Sequence, residues 1–432
     1  MNRAGGGFVP RLLPRSCIAY ACLLALGCAQ TPANTAGASA AESSASPPRA
    51  GSSGAVAQQA DAGPPGAAEL EGVLDRDLLM RLGVPGAWPT SRGEGIIVAV
   101  IDNGFYPDDP AMAGAYLDDH IEFENVVLRQ DIPCAAHGSG IAATIAARGH
   151  GPGSIVGIAP AAKILRISFG CPKWIDLDLK QAPAGEQERL HLEYVREIAV
   201  QGARAIDWAV DKGARLINFS STLFPPNYEK LPSSRRIADS ELQGLAQAVQ
   251  RARARGVLML AAAGNWAGIK LSPQQDHWQS PYSEGALYFP ASSEAVVAVS
   301  CACGTPAQAC EYFHSGTELG QPQISMLRQA PHYGPGLDFV GLCDGVPGVT
   351  QREGKFVYEL TAEGGTSNAT PEITGMLALA WAAAPRSSPD TILDTLQRSC
   401  TDLGAPGYDE KFGHGVPNAT RAVELARNAK RP

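Results

Sequence analysis

At 432 residues, with 45% of them hydrophobic, the chain has apolar mass for a sizeable core in one large or two ordinary domains. Lys and Arg number 35 against 43 Asp and Glu, a net charge of −8. No basic block interrupts this mild acidity, which argues against nucleic acid as a partner.

The chain opens on Arg3, Arg11 and Arg15 with no acid among them, then a short apolar run from Ser16 to Gly27, then Cys28. Such a run is too short to span a bilayer and reads as a secretory signal over residues 1–27. Ala25-Leu26-Gly27-Cys28 resembles a bacterial lipobox. That resemblance implies lipidation of Cys28 and an exported protein of the periplasm or cell surface, held as an outer-membrane lipoprotein, since several acyl chains anchor stably where one does not. The plainer alternative is an ordinary cleaved signal followed by an incidental cysteine. Residues 28–68 are rich in Ala, Gly, Ser and Pro and poor in large apolar side chains, the composition of a flexible tether. The folded domain is expected over residues 69–432.

Cys17, Cys22 and Cys28 fall to the signal and the lipid site, leaving seven of the ten cysteines. In an exported chain these are disulfide candidates, with one left over. Cys303 and Cys310 are placed to close a hairpin. Cys301, Cys303, Cys310 and Cys343 lack a paired C-x-x-C, which argues against zinc, so no metal site is assigned.

From Glu69 to Trp88 apolar residues recur at helical spacing up to a Pro-Gly stop. Ile96 to Ile101 is an almost unbroken β-branched run, the mark of a strand buried on both faces, and Asp102 stands at its carboxyl end. His137 precedes a small-residue helical pattern (Ile141, Ala142, Ile145, Ala146). Lys163 to Phe169 is a second buried strand, and Glu188 to Asp211 an amphipathic helix with Leu192, Val195, Ile198, Ala199, Ile206 and Ala209 on one face. Arg215 to Thr222 gives a third strand with a polar end, Leu242 to Arg255 a helix, Val257 to Asn265 a fourth strand and Ala295 to Ser300 a fifth. Strands alternating with helices predict an α/β domain on a doubly wound parallel sheet, with Asp102, Ser220 and Asn265 on one edge of it. Gly364 to Ala384 begins with glycines and a Thr-Ser pair and runs into a helix, with Pro371 suited to its first turn. Ser367 at that start has backbone N–H groups and the positive dipole end beside it, as an acyl-transfer nucleophile requires.

Asp102, His137 and Ser367 supply the cast for nucleophilic catalysis. A serine hydroxyl needs an imidazole to take its proton, and the imidazole needs a carboxylate to hold its tautomer and stabilise its charged form. Asn265, after Gly264, would offer a side-chain amide to an oxyanion, and the Ser367 backbone N–H a second donor.

The segments carrying these residues resemble the motifs of the subtilases, the subtilisin-like serine proteases. IVAVIDNGF (residues 97–105) is similar to the aspartate motif and HGSGIAATIAA (137–147) to the histidine motif. AAAGN (261–265) is the oxyanion-asparagine motif unchanged, and GGTSNATPEITG (364–375) resembles the serine motif, with Asn368 where Met or Ala is usual and Glu372 in place of His. VGIAPAAKILRI, ARLINFSS and FGHGVPNATRAV fit the framework, so the resemblance runs from about Leu74 to Ala426. It implies a three-layer α/β/α sandwich on a mainly parallel sheet, and a serine endopeptidase acting as a monomer on proteins or peptides. No cofactor is required; structural calcium is known in the family, although no acidic loop here stands out.

The family's Ser-Leu-Gly is Ser220-Ser221-Thr222 in this chain, and its Gly-Tyr-Pro is Tyr288-Phe289-Pro290. Thr222 and Tyr288 are therefore expected to make a shallow primary pocket that prefers small residues at the cleavage point, lined also by Gly264. Asn368 removes an oxidisable Met, which implies peroxide resistance at that position. The tether leaves no room for the family's folded inhibitory pro-domain. The family register implies a Cys134–Cys171 bridge clamping one wall of the cleft. Two further readings stand beside this one. One is a catalytically silent peptide-binding module on the same fold. The other is a maturation protease dedicated to one partner, with an exosite in residues 171–196 and 269–287.

Overall fold

The computed structural model describes residues 70–123, 126–127, 137–149, 151–169, 171–172, 184–223, 238–265, 285–302, 331–342, 344–361 and 364–429. The expected signal and tether and Cys28, Cys134, Cys303 and Cys310 lie outside them.

Two short helices lead in, α1 (Arg76–Arg81) and α2 (Val84–Ala87). Then come β1 (Ile97–Asp102), β2 (Tyr116–Glu122), β3 (Val126–Val127), α3 (His137–Ala146), β4 (Lys163–Ser168), β5 (Cys171–Pro172), α4 (Ala184–Asp211), β6 (Leu216–Phe219), α5 (Asp239–Ala254), β7 (Leu258–Ala262), β8 (Val296–Ala302) and β9 (Phe339–Leu342). A hairpin of β10 (Pro347–Arg352) and β11 (Lys355–Leu360) precedes α6 (Thr366–Ala383), α7 (Pro389–Ser399) and α8 (Ala419–Asn428).

Seven strands form one sheet in the order β2-β4-β1-β6-β7-β8-β9, every neighbouring pair parallel. The apolar runs dictate this arrangement. Val98, Ala99, Val100 and Ile101 are fully buried, which a strand achieves only with layers on both faces. Helices α3 and α6 pack together on one face with α7 and α8, while α4 and α5 pair on the other. The result is an α/β/α sandwich.

Helix α6 is buried along nearly its whole length. It begins at Thr366, so Pro371 lies in the second turn rather than the first. A proline there leaves the Ser367 carbonyl without its intrahelical N–H donor. Gly375 lets α6 approach the 155–158 segment: a Cβ at that position would lie 2.8 Å from Ile158 Cβ. The lead-in segment is stitched to the same region by Trp88 Nε1 donating to the Ile158 carbonyl (2.9 Å) and Ser91 Oγ to that of Leu379 (2.7 Å).

Candidate active site

Strand register aligns the carboxyl ends of three central strands. Ile101 pairs with Phe219, and Phe219 with Ala261, so the residues that follow emerge at one level of the sheet edge. Asp102 closes β1 and is 1% exposed. Its Oδ1 accepts the Asn103 N–H at 2.6 Å and faces His137 Nδ1 at 2.5 Å. His137 opens α3, whose first turn is tied to the β1 loop by Gly138 N–H donating to the Asn103 carbonyl (2.9 Å). A side chain at Gly138 would put its Cβ 2.5 Å from the Gly104 carbonyl, so the close approach of helix and loop requires glycine. Burial disfavours the charged form of His137, but the Asp102 carboxylate, by charge and hydrogen bond, outweighs it and raises the pKa above 6.5.

Ser367 is the second residue of α6 and half-buried, in the first turn, where the next N–H, that of Asn368, donates to the Gly365 carbonyl (2.9 Å). Its Oγ donates to Asn368 Oδ1 at 3.3 Å, so the resting hydroxyl points at the neighbouring amide. Asn265 follows β7 by way of Gly264. Its Oδ1 accepts two bonds from one residue, Thr366 N–H at 2.8 Å and Thr366 Oγ1 at 3.0 Å. Thr366 Oγ1 in turn accepts the Gly264 N–H at 3.2 Å. With its oxygen held twice, the Asn265 amide presents its N–H₂ end beside the start of α6.

Beyond β6, Ser220 is buried and its Oγ accepts from Asn218 Nδ2 (2.9 Å), while Asn218 Oδ1 accepts from Thr374 Oγ1 of α6 (2.9 Å). Any contact Ser220 makes with a ligand is therefore through its backbone. Ser221 and Thr222 are half-buried. Tyr288 is 3% exposed, its N–H donating to the Ala263 carbonyl (3.1 Å) and its ring edge-on to His332 with centroids 5.0 Å apart. Of the bridge implied by the resemblance, Cys171 lies in β5 and Cys134 outside the described residues.

The structure brings Asp102 and His137 into contact and sets Asn265 against the first residue of the helix that carries Ser367. Sequence reasoning missed Thr366 as the anchor of Asn265, Asn218 and Thr374 as the buried link from β6 to α6, and His332 behind Tyr288. Thr366 had a signal, its place immediately before the serine. A lone His332 in a stretch without periodicity had none. Among the described residues no group of three or more His, Cys, Asp or Glu side chains is placed to hold a metal. No described helix is long and apolar enough to cross a membrane.

An α/β/α fold with a carboxylate–imidazole pair and a helix-borne serine at the carboxyl edge of its sheet is the architecture of a serine hydrolase. The chain belongs to the Subtilase family, which it matches over residues 93–415. It is similar to fervidolysin of Fervidobacterium pennivorans, 25% identical over 345 residues, with 78% of this chain and 42% of the relative covered. It is also similar to a calcium-dependent protease of Trichormus variabilis, 26% identical over 384 residues, with 80% and 49% covered. The chain thus spans less than half the length of these relatives. Among solved structures, the prenylagaramide maturation protease PagA shares the fold with a TM-score of 0.53 at 20% identity, with 81% of this chain and 99% of that one covered.

Proposed function

We propose that the chain is an exported serine endopeptidase in which Ser367 is the nucleophile, His137 the general base and then acid, and Asp102 the residue that orients and stabilises the imidazole. The observation that carries this reading is the bond from the buried Asp102 carboxylate to His137 Nδ1 (2.5 Å), which leaves Nε2 as the basic nitrogen. When the Ser367 hydroxyl turns from Asn368 to His137 Nε2, its proton passes to the ring as Oγ attacks a peptide carbonyl. The oxyanion is received by Asn265 Nδ2 and the Ser367 N–H, donors fixed before the charge forms. His137 then protonates the leaving amine, and water releases the acyl group by the reverse sequence.

A fluorophosphonate probe tests the reading. Covalent labelling of wild type that disappears in Ser367→Ala is expected; a correctly folded wild type that takes up no probe would favour the silent peptide-binding module. Lipid anchoring at Cys28 is part of the same proposal, motivated by the lipobox-like sequence. Incorporation of labelled palmitate should vanish in Cys28→Ala, and unchanged incorporation would remove it. Calcium dependence is a property of the Trichormus relative, and structural calcium in this chain belongs to the same proposal.

A further inference from the structure

The tails of β6 and β7 run side by side past the sheet edge, and the segment containing Tyr288 closes the gap between them. Tyr288 N–H donates to the Ala263 carbonyl on one tail, and the Phe289 carbonyl accepts the Leu223 N–H (2.9 Å) on the other. Asn265, at the end of the first tail, is the proposed oxyanion donor. On the protease reading, the side chain of the residue whose carbonyl is attacked enters this gap beside Asn265, past Thr222. Its floor is aromatic. Gly264 has φ +117°, and a Cβ there would lie 2.6 Å from Tyr288 Cδ2 and 3.0 Å from His332 Cδ2, so both rings press directly on the backbone beneath Asn265.

Tyr288 would be a poor floor if its ring were free to swing away. His332 prevents this. It is fully buried, lies edge-on to the Tyr288 ring, and is fixed at four points. Its N–H donates to the Gly264 carbonyl (2.8 Å), its carbonyl accepts from Ser300 Oγ (2.7 Å), and its Nδ1 bonds the Ala286 carbonyl (2.8 Å). The fourth point is the ring contact itself. Burial lowers the His332 pKa to about 4, so the brace stays neutral wherever His137 is a competent base.

We propose that His332 is the brace that locks Tyr288 as the floor of the primary side-chain pocket, so that the enzyme cuts after Gly, Ala or Ser and rejects large aliphatic and aromatic side chains. The inference rests on the protease reading and extends it to substrate class. His332 is a positioning residue here; it acts on specificity through Tyr288 and touches no reacting atom.

The test is a series of fluorogenic peptides that differ only at the residue preceding the cut, with Ala, Ser, Leu or Phe there. Fluorophosphonate labelling of the same preparation runs in parallel. Labelled wild type should favour Ala over Phe in kcat/KM by about 100-fold or more, the scale on which a pocket discriminates by size. Tyr288→Gly should raise the Phe-to-Ala ratio by about the same factor. His332→Ala, which leaves Tyr288 in place but unbraced, should raise that ratio about tenfold. A labelled wild type that prefers Phe or Leu overturns the pocket and leaves the protease intact. An unchanged ratio in active His332→Ala overturns the brace. Absence of labelling and of all hydrolysis removes the protease reading, and this inference with it. Should Tyr288→Gly fail to fold, the wild-type series and His332→Ala decide the matter alone.

Discussion

His137 is subject to two opposing influences whose balance sets the working pH. Burial favours the neutral ring, and Asp102 favours the protonated one and wins, so the proton is held to a pH above 6.5. A general base works only when neutral, so kcat/KM should fall on acidification with a midpoint above that of an ordinary imidazole. A pH–rate profile with its acid limb below the unperturbed value of about 6.5 would contradict the assignment. The oxyanion donor gives a second prediction. Truncation of the equivalent donor in a subtilisin costs about 10²–10³ in kcat, and Asn265→Ala is expected to lose as much. Thr366→Val removes one of the two bonds that fix Asn265, worth about 1 kcal/mol, and should lower kcat roughly five- to tenfold with KM unchanged. A KM effect without a kcat effect would show that Thr366 serves binding instead. The candidates Asp102, His137, Asn265 and Ser367 were legible because their chemistry dictates residue type. The residues that aim them, Thr366 and Asn218, were not, because a buried hydroxyl or amide in sequence carries no mark of its partner.

At the scale of elements, the central strands were legible because burial on both faces demands unbroken apolar runs, and β1, β4, β6, β7 and β8 lie within a few residues of expectation. Strand β2 was not, because it is the sheet's edge and its polar residues Asp118, Asp119 and His120 face water. The β10–β11 hairpin had a signal that went unread. Its two-residue turn, Glu353-Gly354, has φ +51° and +73°, the primed turn that favours glycine. Helix packing supplies a prediction with an internal control. Gly→Ala gains about 1 kcal/mol of helix propensity wherever space allows. In α5, a Cβ at Gly244 meets nothing within 4 Å, so Gly244→Ala should raise stability by about that amount. In α6, the Gly375 Cβ would collide with the stiff, β-branched Ile158. Overpacking there costs about 1–3 kcal/mol and exceeds the propensity gain, so Gly375→Ala should lower stability. Thermal unfolding of the two variants checks the pair, and two shifts of the same sign would refute the packing described for α6.

Across the whole molecule, stability and activity are expected to run in opposite directions with pH. Asp75 is buried in the lead-in segment, its carboxyl accepting the Val156 N–H (3.1 and 3.3 Å), and desolvation raises its pKa from 3.8 to about 7. Asp338, accepting the Ala298 N–H, is raised to about 6, again chiefly by burial. A group whose pKa rises on folding takes up a proton as the chain folds. Its contribution is full below the unfolded value and lost as pH rises through the folded one. Asp75, Asp338 and His137 therefore all favour the fold on the acid side. His332, lowered from 6.5 to about 4, acts oppositely, its contribution being complete above 6.5 and lost as pH falls through 4. The raised groups should make the melting temperature rise as pH falls from about 8 toward 6.5, the direction in which His137 protonation removes activity. Asp75→Asn isolates the largest acid-favouring carboxyl. Between about pH 5 and pH 8 its stability relative to wild type should improve by ~3 kcal/mol, the energy of titrating one carboxyl over that part of the range below its folded pKa. Chemical denaturation of both proteins at the two pH values measures it. A difference that does not change with pH would mean that the Asp75 carboxyl titrates alike in the folded and unfolded chains, and the buried, proton-binding Asp75 would have to be abandoned.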